Sequence, residues 1–367
     1  MSEDGAHACT TYWGKCSFTG ASPPWELEWY PERGYVAISA QDFKAGDLIC
    51  AEHPTTYTRA WHPFSEEQKV QVDLGVQALG AGERKAFLDM SNVFPEEPPS
   101  SGIYMTNAFD MPSYDEDEGR VCGMFLAIGR LNHSCLPNAQ QTFIPRDEDG
   151  GKGENGGCGG GGFEVLYASR DIARGDELCD CYIELRQGAA QRQAQLQGLY
   201  RFTCNCPACQ GTCTSADIGT AAATAAAASS ATGTGAYVSL DSTTAEAAPA
   251  PVRTTREDDA RRLRALRLER DQLTFVEMGE LDRAIELGLE LVALLKSPLS
   301  AGWGERFSAE ACATTAALLL EQGHQRPQAL RLLQQAHTWN VRLQGELSVD
   351  SLASAAKLAK LGKRGRK

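Results

Sequence analysis

The chain has 367 residues, 42% hydrophobic and 23% charged, with a formal net charge of -13 at neutral pH. That length accommodates two compact domains and a linker. The acidic balance argues against direct nucleic-acid binding, which needs clustered Lys and Arg facing phosphate. No run of about eighteen apolar residues is present to span a bilayer. The start, Met1-Ser2-Glu3-Asp4, is acidic where a secretory signal is basic and then apolar. No membrane partner is therefore expected, and the protein is expected inside the cell, in nucleus, cytoplasm or both. Thirteen cysteines, an odd count in a long chain, favour thiols and bound metal over a disulfide framework.

In chain order, residues 1–19 read as a flexible N-terminal segment. From Trp25 to Pro54, apolar residues alternate around the turns Glu32-Arg33-Gly34-Tyr35 and Lys44-Ala45-Gly46-Asp47, which predicts short antiparallel strands. Over about residues 62–95, Val70, Val72, Leu74, Val76, Leu79, Phe87 and Leu88 sit among Glu, Gln and Lys, as in a helical insert. Strand patterning resumes at Ile103 and continues through Phe163-Glu164-Val165-Leu166-Tyr167-Ala168. The Gly- and charge-rich run 147–162 interrupts it as a surface loop, and its Cys158 has no local partner.

Residues 214–256 turn to Ala, Thr, Ser and Pro, with too few large apolar residues for a core, and read as a linker. From 257 to 362 the apolar positions recur at helical spacing, with stops near Gly323, Pro327 and Gly345. The Ala and Leu faces of 281–295 and 327–343 suit either two hairpins of a tetratricopeptide-like array or an irregular helical domain. The basic tail 363–367 is a nuclear address or a solvated terminus.

Cys204-Asn205-Cys206-Pro207-Ala208-Cys209 offers three thiols within six residues. A tetrahedral zinc site needs four such ligands at about 2.3 Å. The fourth is either the nearby Cys213 or the distant Cys135.

Three further runs carry residue types that make sense as chemistry. They are Arg130-Leu131-Asn132-His133-Ser134-Cys135-Leu136-Pro137-Asn138, then Ala173 through Tyr182 to Leu185, then Leu199-Tyr200-Arg201-Phe202-Thr203-Cys204. Singly they read as a polar turn, a half-buried strand tyrosine and core aromatics. Together, in this order, they resemble the active half of the SET-domain protein-lysine methyltransferases, in particular their SMYD-like branch. The resemblance covers about residues 20–210, with a SET domain over 20–200 and a post-SET zinc-binding segment over 201–213.

The resemblance implies an α+β fold: small curved sheets with a helical insert, a post-SET zinc site and a separate C-terminal helical domain. It implies S-adenosylmethionine as methyl donor, held by the Arg33-Gly34-Tyr35 turn and by Asn107, Asn132, His133, Tyr182 and Phe202. Tyr182 and Tyr200 would form the catalytic lysine channel, and Cys135, Cys204, Cys206 and Cys209 would hold Zn2+, leaving Cys213 spare. The partner would be a protein substrate, a histone tail or another lysine-containing protein. A tyrosine suits that chemistry, because a lysine of pKa about 10.4 is neutral in roughly one molecule in a few thousand at neutral pH, and only the neutral amine attacks.

Two departures from the family pattern stand out. Glu32 replaces the first glycine of the N-terminal turn, and 54–95 lacks the cysteines of the MYND finger of SMYD proteins. These leave a rival reading, a catalytically silent SET-derived scaffold. The oligomeric state is open.

Overall fold

The computed structural model describes residues 23–59, 65–111, 121–145, 162–211, 255–297, 300, 302–323, 325–346 and 348–364. Cys158, Cys213, most of the Gly-rich run and most of the 214–256 segment lie outside them. The elements are strands β1 Trp25–Tyr30, β2 Gly34–Ser39, β3 Leu48–Glu52 and β4 Thr56–Arg59, and helices α1 Glu66–Ala78, α2 Ala81–Leu88 and α3 Pro99–Asn107. Then come β5 Phe109–Met111, β6 Val121–Met124, β7 Asn132–His133, β8 Ala139–Pro145, β9 Gly162–Ala168 and β10 Cys179–Asp180. Helices α4 Ala189–Tyr200, α5 Pro207–Gln210, α6 Thr255–Glu277, α7 Leu281–Leu295, α8 Glu305–Glu321, α9 Arg326–Gln344 and α10 Val349–Arg364 complete the chain. Small sheets beside helices give the expected α+β class.

The chain divides into two units that interleave in sequence. The first holds Met1–Gln41, Leu48–Leu131 and Gln141–Leu166; the second holds Asp42–Asp47, Asn132–Gln140 and Tyr167–Lys367.

In the first unit, β1 and β2 form the expected antiparallel hairpin, Tyr30 opposite Gly34. Gly34 turns there with φ 74°, a conformation that glycine adopts without steric cost. The order β4-β6-β5 makes a second sheet and β3-β9-β8 a third. Helix α1 starts with a capping box: Ser65 Oγ accepts from Gln68 N, and Gln68 Oε1 accepts from Ser65 N. Val72 and Val76 of α1 share a core with Phe87, Ile103, Tyr104, Cys122 and Met124.

Ile103 departs from expectation, because it lies in a helix and the strand begins only at Phe109. Pro99 occupies the first turn of α3, where its missing N–H costs nothing. Gly102 lets the helix pass close to Asn92 and Phe94, since a Cβ there would lie 2.5 Å from Asn92 Oδ1 and 2.7 Å from the Phe94 carbonyl. Close packing overrides the strand preference of Ile103 and Thr106.

Two buried ionic side chains pin irregular backbone in this unit. Glu52 accepts from the amides of Leu126 at 2.7 Å, Ala127 at 3.0 Å and Ile128 at 2.9 Å. Burial pushes its carboxyl up to about 7, although those amides and Arg130 pull it down. Arg130 donates to the carbonyls of Ala86 and Asp89 at 2.6 and 3.1 Å. Cys50 is disulfide-bonded, against the expectation of thiols.

In the second unit, β7 and β10 pair in parallel, Asn132 opposite Cys179 and His133 opposite Asp180. The core joins Cys135, Leu136, Leu185, Leu196, Cys204 and Cys206 to Ala284, Leu291, Trp303, Cys312, Leu319 and Ala336 of the helical region. The helices stop where glycine and proline predict. Gly323 and Gly345 take positive φ, and Pro327 sits in the first turn of α9. A Cβ on Gly345 would fall 2.0 Å from Tyr167 Oη. Among the described residues, no helix is long and apolar enough to cross a membrane.

Candidate active site and metal centre

The two dense motifs of the sequence are interlocked by backbone bonds. Ser134 N donates to Asp180 O at 2.9 Å, and Asn138 N donates to Cys179 O at 3.2 Å. Side chains repeat the pattern: Asn138 donates to Glu177 O and accepts from Cys179 N, both at 2.8 Å. Asn132 Nδ2 donates to Glu177 Oε1 at 3.2 Å. Asn132 and Asn138 are thus structural staples of this turn as well as polar turn formers.

His133 stands at the centre of this packing. Its Nδ1 accepts from Tyr182 N at 3.0 Å, so Nε2 carries the ring proton and donates to Cys135 Sγ at 3.3 Å. Burial pushes its pKa down to about 4, which keeps the ring neutral. With both ring nitrogens engaged, His133 offers a ligand its backbone and its ring face.

Around that ring lie the aromatic residues singled out from the sequence. Tyr182 lies 5.4 Å from His133 between ring centroids, Phe202 lies 6.2 Å from it, and Tyr200 lies 4.9 Å from Tyr182. Burial, and then the neighbouring Tyr200, push the Tyr182 hydroxyl above its ordinary range, so it is a neutral phenol at neutral pH. Helix α4, which strand patterning does not anticipate, delivers Tyr200. Arg201 then ends it with φ 58°, a left-handed cap usually given to glycine, and redirects the chain to Phe202 and Cys204.

The four thiols meet. Sulfurs of Cys135, Cys204, Cys206 and Cys209 all lie within 4.8 Å of one another. Cys135 and Cys209 are 3.6 Å apart, close to the edge of about 3.8 Å that a tetrahedron with 2.3 Å metal–sulfur bonds requires. Hydrogen bonds among the four thiols hold Cys206 and Cys209 below the usual thiol range and Cys135 and Cys204 above it, so the cluster shares its protons. Four soft thiolates fit a zinc-type ion.

Two arginines that the sequence reading passed over complete this centre. Arg192, fully buried, points Nε at Cys135 Sγ at 3.3 Å and Nη1 at Gln187 O at 2.5 Å and Asp259 Oδ1 at 3.3 Å. A tetrathiolate around a divalent ion carries two negative charges, and Arg192 offsets one. Arg262 donates to the carbonyls of Leu185 at 2.5 Å and Cys135 at 3.0 Å and pairs with Asp258 at 2.6 Å. Trp303 Nε1 donates to the other Asp258 oxygen at 3.1 Å. The signal for Arg262 was its spacing of four from Asp258 on one helix face, which the apolar pattern of 257–362 obscured; Arg192 carried no local signal.

The remaining candidates, Arg33, Gly34, Tyr35 and Asn107, belong to the first unit. Tyr35 packs edge-on to Trp29 at 5.1 Å, and the Arg130 guanidinium lies 5.7 Å from the Tyr35 ring. Asn107 closes α3 rather than standing on a strand, and its Nδ2 donates to Ser91 O and Ile103 O, both at 2.7 Å.

Residues 34–183 match the SET domain family model. Histone-lysine N-methyltransferase set5 of Schizosaccharomyces pombe is 29% identical over 192 residues, covering 51% of this chain and 52% of that protein. Protein-lysine N-methyltransferase SMYD4 of Homo sapiens is 37% identical over 90 residues, 24% of this chain and 9% of that protein. Histone-lysine N-methyltransferase SMYD3 of Homo sapiens is 32% identical over 129 residues, 34% and 26% of the two chains. The matched region therefore spans about half of the fission-yeast relative and a smaller share of the human ones.

Proposed function

Residues 34–183 are a SET domain, and on that premise we propose that the chain is an S-adenosylmethionine-dependent protein-lysine N-methyltransferase. The observation that carries the reading is the neutral, half-buried Tyr182 beside Tyr200, on the segment whose strand pairs with Asn132 and His133. S-adenosylmethionine, when bound, supplies a methyl group on a sulfonium. Asn132, His133, Tyr182 and Phe202, together with Arg33, Gly34, Tyr35 and Asn107, are the residues proposed to hold it. The half-buried Phe202 offers an aromatic face suited to a flat heterocycle.

Tyr182 and Tyr200 are assigned to the substrate lysine. A confined apolar channel favours the neutral amine by desolvation. A phenol oxygen that stays neutral accepts an N–H from that amine and turns its lone pair along one direction, so positioning supplies much of the rate. Cys135, Cys204, Cys206 and Cys209 are assigned to zinc, which would fix Tyr200 and Phe202 through the adjoining Cys204 turn. The acidic chain suits a basic protein segment as substrate, a histone tail or another lysine-bearing protein.

Calorimetric titration with the donor, followed by transfer of radiolabelled methyl to mixed proteins, tests this. Wild type binds and transfers; Tyr182→Phe binds equally but transfers about a hundredfold more slowly. Donor binding by the wild type with no transfer to any protein, itself included, would replace the enzyme with a silent scaffold.

A further inference from the structure

Tyr182 stands just after β10, on the stretch 181–188 that joins β10 to α4 and forms neither strand nor helix. No ladder or helical turn fixes where a side chain on such a connection points, so its anchors are tertiary. Within the second unit they come from two sides. On one side, Tyr182 N donates to His133 Nδ1 at 3.0 Å and Asp180 O accepts from Ser134 N at 2.9 Å. On the other, the helical region takes hold. Arg306 of α8 donates to Asp180 Oδ1 at 3.0 Å, and the Arg186 guanidinium lies 4.1 Å from the ring centre of the next residue, Phe307. Arg186 also pairs with Glu269 of α6 at 2.6 Å. Consecutive residues of one helix therefore grip the chain before and after Tyr182.

Of these holds, that of Arg306 is nearest to the tyrosine in sequence. The Arg306 side chain is 12% exposed and that of Asp180 5%, so solvent and salt screen the pair little. Helix α8 starts from tightly packed chain: Trp303 is fully buried and its Nε1 donates to Asp258 Oδ1 at 3.1 Å, while a Cβ on Gly304 would fall 2.6 Å from the Leu295 carbonyl. The guanidinium is thus presented from a rigid base, and its planar fork loses little freedom for each bond it forms. Asp180 is also the ladder partner of His133. A shift of its carboxylate therefore tilts β10 against His133 and carries Tyr182 with it.

Resting on the assignment of Tyr182 to the substrate lysine, we propose that Arg306 is a positioning residue for methyl transfer, holding Asp180 so that Tyr182, two residues on, keeps its hydroxyl aimed at the substrate amine. Arg306 acts through Asp180 and needs no contact with donor or lysine. The helical region thereby bears on the chemical step as well as on the fold.

Steady-state methyl transfer by the full chain tests the role, with the most strongly labelled protein of the mixed set as acceptor, kcat and KM measured at saturating S-adenosylmethionine, and donor affinity measured by calorimetry. Arg306→Met/Asp180→Asn removes both charges and strands neither. Its kcat is expected to fall about tenfold, a fraction of what a misplacement of about 1 Å can cost, with KM and donor affinity unchanged. Leu319→Ala, which opens a cavity on the buried side of the same helix, should lower Tm and leave kcat as it was. Unchanged kcat in the double variant overturns the proposal, as does a fall in kcat that Leu319→Ala reproduces at equal loss of Tm. If the double variant fails to fold, Asp180→Asn decides: lowered kcat at unchanged donor affinity supports the role, and unchanged kcat rejects it. Donor binding without transfer by the wild type would overturn the assignment of Tyr182 itself, and this role with it.

Discussion

Both units use buried ionic side chains to hold irregular backbone, and Glu52 in the first and Arg262 in the second are completed differently. In the first, Glu52 gathers the amides of Leu126, Ala127 and Ile128, and burial leaves its carboxyl raised. In the second, Arg262 gathers the carbonyls of Leu185 and Cys135, has Asp258 as a close counter-ion, and stands behind four thiols that fit a metal. An anion collecting N–H groups and a cation collecting C=O groups are mirror solutions to one problem, since buried backbone polar atoms must be satisfied. The difference is in what disturbs them. Loss of metal should disturb the second unit and spare the first, where Glu52 responds to protons.

The largest expected effect follows from metal removal, because structural sites of this type contribute on the order of 10 kcal/mol. A chelator should abolish hydrogen-exchange protection in 132–138 and 204–211 while β4 and β6 keep theirs. Equal loss in both units would end the distinction. Next comes Arg262→Met, which strands the Asp258 carboxylate and two carbonyls. Breaking a buried pair this way costs about 3–5 kcal/mol, and adding Asp258→Asn should recover part of it. Urea unfolding midpoints measure both.

The smallest effect belongs to Glu52. Its folded pKa of about 7 exceeds the ordinary 4.5, so between those values the folded state binds more protons than the unfolded one. Stability contributed by this group is therefore present below that window and lost as pH rises through it, by about 3 kcal/mol at most. Glu52→Gln should flatten that slope. Asp176, Asp180 and Glu305 are also raised by burial, so the difference between variant and wild type isolates Glu52. An unchanged slope would show that the amides and Arg130 keep it ionised throughout.

Much of the candidate site was legible because its residues are local in sequence and chemically unusual. Asn132-His133-Ser134-Cys135 and Cys204-Asn205-Cys206 set their candidate residues in adjacent positions, and the structure brings their sulfurs together. Short strands around glycine turns were legible for the same reason. What escaped was decided at long range. Arg192 and Arg262 look like ordinary polar-face residues until a partner tens of positions away buries them, and Glu52 looks like a strand-end charge until Leu126 folds over it. Ile103 reads as the start of a strand from its apolar patterning, whereas Gly102 and the first-turn Pro99 allow a tightly packed helix.

The central claim is that Cys135 and the Cys204–Cys209 cluster meet at one metal, placing Tyr182, Tyr200 and Phe202 around one site. Metal analysis of the purified chain and of Cys135→Ser tests it most directly. About one zinc per wild-type chain is expected, lost from Cys135→Ser as fully as from Cys206→Ser. Full zinc retention in Cys135→Ser would contradict it.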